Sequence, residues 1–144
     1  MPRFFTTTKH IDASPRRVWD VLVDVARWPE WTPTMLSVER LDAGPFQVGS
    51  RAKVRQPRLP QAVWQVTDLV DGRSFVWEAG GAGMTTIARH EVVEEGNGCT
   101  VTLSVEQAGP LGALAGLVWR GLTQRYIELE AASLDKRVTG APAA

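Results

Sequence analysis

Between Met35 and Gln107, hydrophobic and polar residues alternate in short runs, and residues that favour turns separate these runs. Alternation with a period of two is typical of β-strands that bury one face. We therefore expect six strands here, and a seventh near the N-terminus, where β-branched and aromatic residues prevail. The expected strands cover residues 4–11, 36–41, 51–56, 63–70, 74–79, 84–94 and 99–107. Their short connections predict an antiparallel meander.

The pattern changes to helical spacing after the turn residues Gly109 and Pro110. Apolar residues then recur every three or four positions, which predicts one helix over residues 110–137, roughly 40 Å long. The expected inward stripe consists of Leu111, Leu114, Val118, Leu122, Arg125, Leu129 and Ala132. Three glycines in this run indicate either close packing against a neighbour or room for a ligand. Charged residues interrupt the run before the ~18–20 apolar residues of a membrane span, so we expect a soluble helix across the sheet.

Two short helical segments are expected between the first and second strands. Ser14 can cap a helix and Pro15 can occupy its first position, and Val18 and Leu22 follow at helical spacing. Residues 28–33 can hold only a short helical turn because two prolines limit it. The predicted order is therefore one strand, two short helices, six strands and a long helix, an α+β arrangement.

Composition narrows the function classes. Sixteen basic residues balance sixteen acidic ones in the 144-residue chain, so no net charge attracts nucleic acid or an anionic membrane. The single cysteine, Cys99, excludes an internal disulfide, and neither a signal peptide, a phosphate-binding loop nor a zinc pattern is visible. We expect a cytoplasmic protein without membrane insertion, metal or cofactor, and a homodimer stays open. The six tryptophans favour a lined pocket as well as a core.

Several short motifs carry a resemblance to a known family. They are Ile11-Asp12-Ala13-Ser14-Pro15, Val18-Trp19, Trp28-Pro29-Glu30-Trp31, Val48-Gly49-Ser50, and His90 followed by Gly98-Cys99-Thr100. With the predicted element order, residues 3–137 resemble the polyketide cyclase/dehydrase and START-like (SRPBCC) superfamily. The resemblance implies a helix-grip fold, in which a curved seven-stranded antiparallel sheet wraps around the C-terminal helix and leaves an apolar cavity. The chain length fits a single domain over residues 1–144, and we expect residues 138–144 to form a disordered tail.

Strand alternation places candidate ligand-binding residues on inward faces. Trp64, Val66 and Asp68 are expected to share one face of their strand. The candidate ligand-binding residues are Trp31, Met35, Arg55, Trp64, Phe75, Trp77, Thr86, His90, Trp119, Leu122 and Arg125. The aromatic members could equally be core residues. Arg55, Arg125 and Lys9 are candidates for an anionic or carbonyl group of a ligand, or for surface ion pairs.

His90 is the candidate catalytic residue, since an unperturbed imidazole, with a pKa of ~6.5, can act as acid or base near neutral pH. Three functions remain open. The first is binding of a hydrophobic or aromatic, lipid- or polyketide-like small molecule in the cavity. The second is an enzyme of the cyclase, aromatase or dehydrase type, with His90 or an arginine acting on a polyketide-like substrate. The third is a protein-interaction module, and this fold class hosts binders and enzymes alike.

Overall fold

The predicted strands and the long helix are present in the computed structural model, with ends shifted by one or two residues. The structure describes residues 3–81 and 83–140, and for residues 3 and 112–120 only the backbone. The strands are β1 (Arg3–Ile11), β2 (Ser37–Arg40), β3 (Arg51–Arg55), β4 (Ala62–Val70), β5 (Ser74–Gly81), β6 (Met84–Glu95) and β7 (Gly98–Ala108). The helices are α1 (Pro15–Val23), a 3-10 helix (Val25–Glu30) and α2 (Gly112–Thr139).

All seven strands form one antiparallel sheet in the order β1-β7-β6-β5-β4-β3-β2. Each strand from β2 to β7 pairs with its neighbour in sequence, as short hairpin connections require. The exception is β1, which pairs with β7 from Arg3↔Gln107 to Ile11↔Cys99. Because β1 and β2 are the two edge strands, the helices between them connect one edge of the sheet to the other. The curved sheet and the C-terminal helix confirm the predicted α+β helix-grip fold.

Local signals explain the start of α1. The Ser14 side chain accepts a hydrogen bond from the backbone N–H of Arg17 at 3.2 Å, and Pro15 occupies the first helical turn. Such a cap satisfies one of the N–H groups that a helix start leaves without a partner. Val18 and Leu22 on the inward face are fully buried. The capping and the apolar spacing therefore orient α1 against the core.

A β-bulge corrects one predicted strand face. The register of β4 against β5 shifts between Val66 and Asp68. An extra residue in one strand turns every later side chain to the opposite face. Val66 is buried as predicted, but Asp68 is exposed and Leu69 packs against the core instead. The prediction that Asp68 shares the inward face of Trp64 and Val66 was wrong for this reason.

The inward face of α2 also differs from the predicted stripe. Over the part whose side chains are described, the buried residues are Ile127, Glu130, Ala131, Leu134 and Val138. Leu122 is only partly buried and Arg125 is exposed. The buried stripe is displaced by about two residues from the prediction, so it lies on nearly the opposite side of the helix. α2 lies mainly against β1 and β7, and it continues through Thr139, two residues beyond the predicted end.

Gly140 ends α2 in the left-handed conformation, with φ of 70°, and its N–H donates to the Lys136 carbonyl at 2.9 Å. Glycine favours this position because it carries no Cβ. Near the same end, the Arg17 side chain donates to the Val138 carbonyl at 2.9 Å, which joins α1 to α2. No helix among residues 3–81 and 83–140 is long and apolar enough to cross a membrane.

Candidate functional site

A cavity of about 580 Å³ lies between the inner face of the sheet and the middle of α2, from Thr123 to Glu130. Its apolar lining includes Trp28, Met35, Val54, Trp64, Trp77, Ala88, Leu103, Val105 and Ile127. The polar side chains among its lining residues include Thr86, His90, Gln107, Tyr126 and Glu130. The strands supply one wall by alternation, and α2 supplies the opposite wall. Such concave, mostly apolar spaces with a few polar groups are where small molecules bind.

Tryptophan rings form one end of this cavity. The ring centroids of Trp28 and Trp77 lie 5.4 Å apart at an interplanar angle of 67°, and those of Trp64 and Trp77 lie 5.6 Å apart. Trp28 is held in place because its indole N–H donates to the Leu22 carbonyl at 3.0 Å. The edge-to-face contact between Trp28 and Trp77 favours a defined arrangement of these two rings. The aromatic end is therefore a rigid surface for a flat apolar ligand.

Five residues predicted from the sequence as ligand-binding line the cavity together. They are Met35, Trp64, Trp77, Thr86 and His90. Met35 follows the 3-10 helix, and the other four come from the inward faces of β4, β5 and β6. Period-two alternation was sufficient to find the strand residues, because their registers are regular at these positions.

The structure places the remaining predicted residues elsewhere. Phe75 is fully buried in the core behind His90, and Trp31 packs against Trp28 outside the cavity lining. Arg55 is exposed at the end of β3, and Leu122 and Arg125 are not among the lining residues because of the different phase of α2. The side chain of Trp119 lies outside the described residues. Lys9 forms an ion pair with Asp135 at 3.8 Å on the surface.

Trp28, Gln107, Tyr126 and Glu130 line the cavity but were not identified from the sequence. The pattern that could have found the helix residues starts from the C-terminal end of α2. Leu134 and Val138 are apolar there, and counting back from them at helical spacing leads to Glu130 and Ile127. The Tyr126 hydroxyl donates to the Pro57 carbonyl, which ties α2 to the β3–β4 loop. Leu59 and Pro60 of this loop also line the cavity.

His90 on β6 and Glu130 on α2 lie close together in the cavity wall. The His90 Nε2 and Glu130 Oε1 atoms are 4.0 Å apart, which is too long for a hydrogen bond. Burial lowers the pKa of His90 to about 3 and raises the pKa of Glu130 to about 8. At neutral pH both side chains are therefore mainly uncharged. His90 also stacks on Phe75, with ring centroids 4.1 Å apart at an interplanar angle of 8°.

Three buried polar atoms of the cavity side chains have no hydrogen-bond partner among the described residues. They are His90 Nδ1, Gln107 Oε1 and Glu130 Oε1. A buried polar atom without a partner costs ~1–3 kcal/mol. No three His, Cys, Asp or Glu side chains in the described part of the chain come together as metal ligands. His90 and Glu130 can form hydrogen bonds and exchange protons.

A sequence profile described as polyketide cyclase / dehydrase and lipid transport matches residues 3–139. The chain belongs to this family. The match covers nearly all of the described residues, and it includes every strand of the sheet and both walls of the cavity. A search of curated proteins found no significant match. The membership of the polyketide cyclase/dehydrase and START-like superfamily that the motifs indicated is confirmed.

Solved structures with the same fold include members of diverse function. A START superfamily protein from Mycobacterium smegmatis is 15% identical with a TM-score of 0.77, covering 95% of this chain and 97% of that one. The di-domain ARO/CYC BexL from the BE-7585A biosynthetic pathway is 16% identical with a TM-score of 0.75, covering 98% of this chain and 51% of that one.

A third similar structure is norcoclaurine synthase from Thalictrum flavum in complex with dopamine and hydroxybenzaldehyde. It is 15% identical with a TM-score of 0.72, covering 100% of this chain and 90% of that one. At these identities the likeness shows a shared fold. Family and fold together indicate hydrophobic ligand binding or a polyketide cyclase-like function.

Proposed function

We propose that this protein binds an apolar or aromatic small molecule in the cavity between the sheet and α2. The observation that carries the proposal is the cavity of about 580 Å³, because ligand pockets in proteins typically measure ~300–1,000 Å³. The tryptophan rings at one end supply flat apolar surface, and a few polar side chains supply orientation. The norcoclaurine synthase of the same fold, which holds small aromatic molecules, supports a ligand of this size.

The driving force would be burial of the ligand's apolar surface. A ligand that buries ~200 Å² of apolar area gains ~5 kcal/mol at ~25 cal/mol per Å², before the cost of association is subtracted. The ring contacts between Trp28, Trp64 and Trp77 are already made within the protein, so little side-chain entropy remains to be lost. Preorganisation of this kind improves affinity.

The experiment combines ligand discovery with a blocked cavity. Native mass spectrometry of the protein purified from its own host detects a co-purified molecule, and calorimetry then measures its affinity. In Ala88→Phe a ring is placed on the inner face of β6, between Thr86 and His90, and we expect at least ~10-fold weaker binding. Thr102→Phe adds the same ring on the outer face of β7 and is the matched control.

Circular dichroism of both variants confirms that they fold, since overpacking a core costs ~1–3 kcal/mol. Unchanged affinity in Ala88→Phe, with the fold intact, would mean that the ligand binds elsewhere. Weakened affinity in both variants would point to a general loss of structure rather than to a blocked cavity.

A second candidate function is catalysis of the cyclase or dehydrase type on a polyketide-like compound. The observation that favours it is the position of His90 and Glu130, two ionisable groups 4.0 Å apart in the cavity wall. A histidine with a pKa near 3 accepts a proton only weakly, which is why binding is the first candidate. Under catalysis, His90→Gln would abolish turnover and leave ligand affinity within a few-fold. Under binding alone, no turnover is found with either protein.

A further inference from the structure

Two polar side chains of the cavity wall, His90 on β6 and Glu130 on α2, lie close together without a hydrogen bond between them. Glu130 is 7% exposed and His90 is 4% exposed, and each has a polar atom without a hydrogen-bond partner among the described residues. The unpartnered Glu130 Oε1 lies 4.0 Å from His90 Nε2, too far for a direct hydrogen bond, whereas the unpartnered atom of His90 is the other ring nitrogen, Nδ1. Buried polar groups in proteins are nearly always paired, either within the protein or with a bound molecule. The pair therefore marks where a ligand's polar group would be held.

The charges around this position decide which polar group fits. The titratable residues among the described lining of the cavity are Arg89, His90, Tyr126 and Glu130. Arg89 is exposed and alternates with Ala88 and His90, so it lies on the outer face of β6. From α2, the Tyr126 hydroxyl is already used by the Pro57 carbonyl. From β7 the facing polar side chain is the uncharged Gln107.

This inference rests on the proposed function. We propose that the cavity selects ligands that carry a neutral oxygen group, either a hydroxyl or a carbonyl. This group is hydrogen-bonded between Glu130 and His90. Carboxylate-bearing ligands are disfavoured, because no cationic side chain of the described lining faces this position and a buried charge must be paired. The rest of the ligand is apolar, because the inner faces of β6 and β7 next to this position present Ala88, Leu103 and Val105.

The protonation states support a neutral partner. Burial raises the pKa of Glu130 to about 8, so at neutral pH its carboxyl group carries a proton and can donate to a ligand oxygen. The imidazole of His90 is neutral and has one donor and one acceptor nitrogen. A cationic amine is the competing partner, because it could ionise Glu130 and lie against the tryptophan rings. Its binding would release the Glu130 proton.

Three probes with one naphthalene body distinguish these cases by calorimetry on the unmodified protein at neutral pH. Naphthalenemethanol is neutral, naphthoate is an anion and naphthylmethylammonium is a cation. We expect naphthalenemethanol to bind at least ~10-fold more tightly than either ion. Equal or tighter binding of naphthoate, or of the ammonium probe, would overturn the inference. Failure of all three probes to bind would contradict the proposed function itself, so the two failures are distinguishable.

The pH dependence with naphthalenemethanol tests the role of Glu130. A bound ligand buries Glu130 further and raises its pKa above the value of about 8 in the free protein. Affinity is therefore full below about pH 8 and falls by up to ~10-fold per pH unit above it, with proton uptake on binding. A cationic ligand bound to the carboxylate gives the opposite sign, because affinity then rises with pH.

Glu130→Gln should remove this pH dependence, because the amide keeps the shape of the side chain and does not titrate. Glu128→Gln is the matched control. Glu128 lies on the exposed face of α2, where it accepts a hydrogen bond from Gln124 at 3.0 Å, and its loss should leave the pH dependence intact. Persistence of the pH dependence in Glu130→Gln would overturn the assignment. If that variant does not fold, the three probes on the unmodified protein still decide.

Discussion

Ionisation of Glu130 should make the folded protein less stable as the pH rises. Its pKa is 4.5 in the unfolded chain and about 8 in the folded protein because of burial, so between these values the folded state binds one more proton than the unfolded state. Under proton linkage, the free energy of unfolding then decreases with rising pH. Each pH unit is worth ~1.36 kcal/mol. The stabilisation is complete below pH 4.5 and is lost as the pH approaches 8.

His90 acts in the opposite direction. Burial lowers its pKa from 6.5 to about 3, so the unfolded state binds the additional proton between these values. Stability is retained above pH 6.5 and is lost as the pH falls towards 3. Between pH 4.5 and 6.5 the two effects cancel, and a plateau of maximal stability is expected there. Above pH 6.5 only the effect of Glu130 remains, which amounts to ~2 kcal/mol by pH 8.

The assay is urea denaturation, followed by tryptophan fluorescence, at several pH values between the plateau and pH 8. Glu130→Gln should show no loss of stability over this interval, while the unmodified protein loses ~2 kcal/mol. Glu128→Gln should behave as the unmodified protein because Glu128 is exposed. A flat profile in the unmodified protein, or the same slope in Glu130→Gln, would refute the assignment of this slope to Glu130.

Four further substitutions test the packing by chemical denaturation. Leu134→Ala should lower the free energy of unfolding by ~2–5 kcal/mol because Leu134 is fully buried. Leu122→Ala should lower it much less because Leu122 is only partly buried. Similar losses in the two variants would contradict the observed inward face of α2. Ser14→Ala should cost ~1 kcal/mol through loss of the helix cap, and an unchanged midpoint would show that the cap contributes nothing. Gly98→Ala should destabilise strongly, because a Cβ there would lie 2.2 Å from the Ile11 carbonyl oxygen; full stability would contradict this close approach.

Much of the fold follows from local patterns. The seven strands are visible because alternation and turn residues are properties of neighbouring positions, and the helix over residues 112–139 is visible because its apolar spacing repeats over many turns. The same reasoning located Trp64, Trp77, Thr86 and His90 in the cavity wall. In a regular strand the sequence position determines which face a side chain occupies, because successive side chains point to opposite faces of the sheet.

Other features depend on contacts between distant residues. The bulge in β4 exposes Asp68 and turns Leu69 inward, because pairing with β5, rather than the sequence of β4, sets the register. The predicted inward face of α2 was wrong because the helix has apolar residues on more than one side. Packing against β1 and β7 selects which side is buried. Glu130 was missed for that reason.

From the sequence alone, the order of elements, the family and four strand residues of the cavity wall, Trp64, Trp77, Thr86 and His90, were determined, because they rest on local spacing and short motifs. Only the tertiary structure brought Glu130 on α2 to within 4.0 Å of His90 on β6. These residues are forty positions apart, and their shifted pKa values come from burial that both walls create together. The chemistry of the cavity is therefore a property of the assembled fold.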